Sequence, residues 1–170
     1  MSVARATRHG IRTRGGPPRH GLLAGAIASG LVAAAACSNP TGPEMDLERL
    51  EASRRRFEAA VGADYSVAYQ NVCFCVDTFR EPVLLTVRQG TIVSVQRRSD
   101  GSPVPAARWD DYRTVERVFA AIEEALRGDA AAVRVDYDRE LGYPRDVWID
   151  YDERLADEEQ GFQLEALEPQ

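Results

Sequence analysis

Apolar and polar positions alternate with two clear periods along the chain, and one run has no period at all. That run is residues 21–36, sixteen apolar or small residues that end at Cys37. From Asp46 the period is helical: Leu47, Leu50, Phe57 and Val61 share one face of a 3.6-residue repeat. Asp46 is placed to cap this helix, Gly62 to end it, and Glu51 with Arg55 to form an i,i+4 pair. Three successive arginines, Arg54, Arg55 and Arg56, point in different directions and read as a solvated face. At Tyr65 the period drops to two. Tyr65, Val67, Tyr69, Asn71, Cys73 and Cys75 alternate through residues 65–76, which predicts a strand broken by Glu81-Pro82. Residues 83–88 and 91–97 alternate again around Gln89-Gly90, with Val83, Leu85, Val87, Val93 and Val95 on the core side.

Residues 99–108 carry the Gly, Pro and Ser of a loop. Thr114 then caps a second helix whose stripe is Val115, Val118, Phe119, Ile122 and Leu126, with Gly128 as its stop. Three more strands are predicted at 132–138, 145–151 and 161–167. Their inward positions are Val133, Val135 and Tyr137, then Val147, Ile149 and Tyr151, then Phe162, Leu164 and Ala166. The order helix, three strands, helix, three strands predicts an α+β domain in two layers. An antiparallel sheet of about six strands carries two helices on one face, and αβββ is repeated in element order. The domain spans 46–170, a length that supports one core.

The unbroken apolar run belongs to a different physical problem. Before it stand Arg5, Arg8, Arg12, Arg14 and Arg19 and no acid, so residues 1–36 have the basic and apolar regions of a secretory signal peptide. The run is too short and too rich in Ala and Gly for a spanning helix of about 20 strongly apolar residues. Ala34-Ala35-Ala36-Cys37 resembles the lipobox of bacterial lipoproteins, with Ala34 where leucine is usual, and also satisfies the A-x-A rule of plain secretion. Both readings cut before Cys37. The three cysteines, Cys37, Cys73 and Cys75, favour the lipoprotein, because a lipid on Cys37 leaves an even pair. Residues 37–45 then form a lipidated start and a Pro/Gly-rich tether. The expectation is a protein of the cell envelope, held to the membrane through Cys37.

Cleavage removes both histidines, His9 and His20, and the chain has no lysine. Sixteen arginines remain against 27 acids, a balance of −11. Such a domain offers no electrostatic footprint for nucleic acid. Without histidine or lysine there is no Ser-His-Asp or Cys-His arrangement, no Schiff base and no P-loop, and no HExxH or paired CxxC pattern occurs. The chain reads as non-enzymatic, with no cofactor and no metal. Asp136-x-Asp138-x-Glu140 begins like a calcium loop. It then misplaces the glycine at Gly142 and has Val147 where a bidentate glutamate is needed, so it fails as one.

Cys73-Phe74-Cys75 is the sharpest local feature. Alternate residues of a regular strand lie roughly 6.6 Å apart, near the limit of about 6.8 Å for bridged Cα atoms, so a bond there requires a kink or bulge. The pair reads first as a structural disulfide or buried thiol pair, with a redox role and a metal site behind it. The leading function is a protein-binding or structural module meeting another envelope protein; the alternative is a thiol-redox accessory protein using Cys73 and Cys75.

Tyr65-x-x-x-Tyr69, Cys73-Phe74-Cys75, Val87-x-x-Gly90, Tyr137-Asp138, Gly142-Tyr143-Pro144, Ile149-Asp150 and Asp157-Glu158-Glu159 stand in an order that resembles an exported bacterial family, the domain of unknown function numbered 6174. The resemblance covers most of residues 57–167. It implies the domain boundary and an envelope location, and it carries no mechanism.

Overall fold

The computed structural model describes residues 43–170 apart from 129, 153, 156 and 157. The predicted export signal, the predicted lipidation site Cys37 and the predicted tether up to residue 42 lie outside them, as does Asp157. Helix α1 (Pro43–Ala60) opens three residues ahead of the predicted start. Proline suits a first helical position, where no N–H is required of it. Asp46 therefore is not a cap; it stands in the first turn, 3.5 Å from Arg49. The helix ends as predicted at Gly62 (φ 75°), where the N–H groups of Val61 and Gly62 both reach the Phe57 carbonyl.

Strand β1 (Tyr65–Val72) is followed by a single turn, α2 (Asp77–Arg80), and the hairpin β2 (Val83–Arg88) and β3 (Thr91–Arg97). Gln89 and Gly90 both have positive φ, 50° and 71°, as a tight hairpin turn requires. A 3-10 turn (Ala106–Asp111) interrupts the stretch that composition marked as loop. Helix α3 (Val115–Arg127) follows its predicted caps: Thr114 Oγ1 accepts from the Arg117 N–H, and the Gly128 N–H reaches the Glu124 carbonyl at 2.8 Å. Strands β4 (Ala132–Tyr137), β5 (Pro144–Asp150) and β6 (Gln160–Pro169) complete the described chain.

One antiparallel sheet holds all six strands in the order β3-β2-β1-β6-β5-β4. The fold is α+β, as the periods predicted. The αβββ order does repeat, but β1, the first strand of one meander, lies against β6, the last of the other. A two-fold would pair first with first or last with last, so no two-fold relates the halves. Helices α1 and α3 pack on one face, over Tyr65, Val67, Tyr69, Val83, Leu85, Val147, Ile149, Phe162 and Leu164. On the opposite face stand Gln70, Leu84, Thr86, Ser94, Gln96, Trp148 and Gln163, the alternate positions of the same strands.

Three predicted core positions are displaced, each by a break in strand periodicity. Val93 is 47 % exposed, because the β2–β3 register shifts between Thr86 and Val87 and brings Ile92 opposite Val87 in its place. Ala166 is exposed and adopts φ 48°, and Leu167 takes the buried position after the irregularity between β1 and β6. Tyr151 lies beyond the end of β5 and is 42 % exposed. A fourth correction concerns Arg54. It is half-buried rather than fully solvated: it donates to Glu123 at 2.8 Å and lies 5.6 Å from the Phe119 ring centroid. Arg55 keeps its predicted partner, Glu51, at 3.7 Å.

Candidate functional site

Most of the motifs singled out in the sequence gather at two places, along β1 with the start of α3, and at the β4–β5 turn; Val87-x-x-Gly90 lies apart at the β2–β3 turn and Ile149-Asp150 at the end of β5. On β1, Tyr65 and Tyr69 project toward the helical layer and use their hydroxyls as struts. Tyr65 accepts from the Val115 N–H at 2.8 Å and donates to Glu116 at 2.9 Å. Tyr69 donates to Asn71 Oδ1 at 2.8 Å. Asn71, itself buried, donates to the carbonyls of Phe79 and Asp111, each at 3.2 Å. One strand thus anchors α2, the 3-10 turn and the first turn of α3. Each polar atom is satisfied, as burial at these positions demands.

Burial pushes the Tyr65 hydroxyl up, with the Glu116 charge adding to it; burial also raises Tyr69, against the pull of Arg113. Burial holds the hydroxyls of Tyr112, Tyr143 and Tyr151 above their usual value and pushes Tyr137 up to about 12. A raised folded-state value means that stability is complete below the unfolded tyrosine value near 10 and drains away as pH rises above it. Alkaline unfolding is the expected result. The phenolate absorbance of the six tyrosines should rise mainly above pH 10, together with loss of near-ultraviolet circular dichroism; a full titration near pH 10 with the fold intact would refute it.

The predicted strand through Val76 stops at Val72, and the cysteines sit in the bends that follow. That is why they can meet. Their Cα atoms are 5.3 Å apart and their sulfurs lie at bonding distance. A ring closed over three residues contributes only about 1.6 kcal/mol of loop entropy, against about 3 for a fifteen-residue loop. The bond shapes this corner locally, leaving Phe74 between the two cysteines 83 % exposed.

Beside Cys73 opens a cleft of about 370 Å³, walled by Asn71, Phe79, Tyr112, Phe162 and the segment from Glu158 to Gly161. Arg113 and Arg117 stand in it with Asp110, Asp111, Glu158 and Glu159, and the Arg113 guanidinium lies 5.2 Å from the Phe162 ring centroid. Charges of both signs therefore face the same space. Oε1 of Glu158 and Oδ1 of Asp150 are buried without a hydrogen-bond partner among the described residues.

At the second place, Asp138 holds the chain reversal together. Its Oδ1 accepts from the N–H groups of Glu140 and Leu141, closing the β4–β5 turn. Gly142 follows at φ 81°, with α1 so close that a Cβ there would lie 2.4 Å from the Ser53 carbonyl oxygen. Tyr143 is buried, and Pro144 starts β5. Asp136 faces away from this turn, on the exposed side of β4. Among the described residues, no three Cys, Asp, Glu or His side chains are grouped to hold a metal ion. Cys37 lies outside the described residues.

Fold and site together define a two-layer α+β domain with a cystine-closed corner beside a mixed-charge cleft. The chain belongs to the family of unknown function DUF6174, whose model matches residues 49–169. No curated protein and no solved structure matches the chain. The tyrosine struts, the cystine corner and the Asp138–Gly142 turn account physically for Tyr65-x-x-x-Tyr69, Cys73-Phe74-Cys75, Tyr137-Asp138 and Gly142-Tyr143-Pro144 among the motifs on which the resemblance rested.

Proposed function

We propose that the protein works as a lipid-anchored component of the cell envelope, cut before Cys37 and acylated on that thiol, with a non-catalytic α+β domain that binds another envelope protein. The observation that carries this reading is cysteine pairing. With Cys73 and Cys75 bonded to each other, Cys37 is the odd thiol of the chain, and it closes the apolar run that the basic segment precedes. Helix α1 begins six residues later, so the anchor is followed almost at once by the folded domain. The domain's acidic balance and the absence of lysine and histidine past residue 36 fit a protein-facing role better than a catalytic one.

The mature chain recovered from its own envelope fraction is expected to carry a diacyl or triacyl adduct at Cys37. Cys37→Ser should lose both the adduct and the membrane association. An unmodified N-terminus, or a variant that still sediments with membranes, would overturn the anchor.

A further inference from the structure

The two edges of the sheet are treated differently. The outer edge of β3 is occupied by the chain's own next segment: the Val104 N–H reaches the Val95 carbonyl, the Arg97 N–H reaches the Ser102 carbonyl, and Gln96 bridges Pro103. Along β4, among the described residues, β5 is the only strand paired. The Asp138 N–H bonds inward to the Tyr143 carbonyl. By alternation, the N–H and C=O groups of Val133, Val135 and Tyr137 point outward, away from β5. An edge left this way is a template for another strand.

The sequence of β4 is complementary to itself. Laid antiparallel about Val135, one copy sets Arg134 opposite Asp136 of the other and Val133 opposite Tyr137, with Val135 meeting itself. Arg134 and Asp136 are exposed on one face; Val133, Val135 and Tyr137 are half-buried on the other. The outward-pointing backbone groups are those of the self-pairing residues, so the same register that matches the charges also closes the hydrogen bonds. Neither charge is strongly committed elsewhere: Asp136 is 3.9 Å from Arg145, and the Arg134 guanidinium lies over Trp148 at 5.7 Å. Beside the edge a groove of about 260 Å³ runs between β4, Leu126 of α3 and Asp46 and Arg49 of α1. It gives the apolar side chains of a second strand a place to settle.

We propose that β4 pairs with β4 of a second copy, joining two six-stranded sheets into one of twelve strands across a two-fold through Val135. The surface belongs to the domain alone and does not depend on the lipid on Cys37. Two protomers held in one membrane plane would meet at a raised effective concentration.

The test uses the mature chain from residue 37 with Cys37→Ser; the unit Ser38–Gln170 contains the whole core and is compact by itself. Sedimentation should show its mass doubling with concentration. Arg134→Asp and Asp136→Arg, both at exposed positions, each place like charges opposite one another twice. Each should weaken the dimer about tenfold or more. The double variant Arg134→Asp/Asp136→Arg exchanges the charges and should restore association, with circular dichroism confirming the fold of all three. A monomer at every concentration would overturn the proposal. So would a dimer indifferent to the single reversals, or a double variant that stays as weak as the singles.

Discussion

Gly142→Ala is expected to destabilise the domain by about 3 kcal/mol or more, lowering its melting temperature by roughly 10 °C. Two costs add at this residue. Its φ of 81° lies in the left-handed region, which costs an L-residue about 1–2 kcal/mol. In addition the new Cβ would meet the backbone of α1: the Ser53 carbonyl oxygen at 2.4 Å and the Phe57 nitrogen at 2.9 Å. Backbone atoms of a packed helix cannot rotate aside as a side-chain end can, so α1 or the turn must shift. Gly90 supplies the control. It has nearly the same φ, 71°, and a Cβ added there would meet nothing within 4 Å, so Gly90→Ala should cost only the conformational part, about 1–2 kcal/mol. Thermal melts of the two variants separate strain from contact. Equal losses would mean that α1 yields freely at the turn, and the close approach would not be a constraint.

Phe119→Ala is expected to cost about 3–5 kcal/mol, the range for removing a buried aromatic ring. The ring joins three elements: it stacks on Tyr137 of β4 with centroids 6.2 Å apart, tilts against Phe57 of α1 at 6.0 Å, and lies under Arg54. Phe57 in turn meets Tyr65 edge-on at 5.6 Å, so the loss reaches the central strand. Denaturant melts of Phe119→Ala, Arg54→Ala and the pair form a double-mutant cycle. Arg54→Ala should cost less in the Phe119→Ala background by about 0.5–2 kcal/mol, because the ring no longer holds the cation. Equal costs in both backgrounds would leave Glu123 as the only partner that matters to Arg54.

Arg54 also shows where a one-dimensional pattern runs out. Three arginines in a row give a helical pattern no reason to bury one of them. The reason lies on another helix, where Glu123 and Phe119 stand 69 and 65 positions away. The same applies to the cysteines. Their spacing told that a regular strand could barely bridge them; that β1 ends at Val72, and so frees them to meet, shows only in the packed fold, where Asn71 near that end bonds the carbonyls of Phe79 and Asp111. The cleft beside them was not legible at all. Its arginines precede and open α3 while its glutamates precede β6, and no motif links positions so far apart. A signal for the tyrosine struts did exist in Tyr65-x-x-x-Tyr69. Two aromatic hydroxyls on the inward side of a central strand must find partners, and the N-terminus of a capped helix is rich in free donors.

Local chemistry, then, was determined by sequence alone. The two helices with Gly62, Thr114 and Gly128 at their ends, the Gln89-Gly90 turn and six alternating strands follow from periods and caps that act within a few residues. What tertiary structure decided was adjacency and its consequences. It placed β1 beside β6 rather than beside β4, shifted the inward side of β3 from Val93 to Ile92, moved that of β6 from Ala166 to Leu167, and left the outer side of β4 unpaired among the described residues. The physical reason is that strand order and bulges are settled by which side chains share one core, and that is a property of the packed layers together.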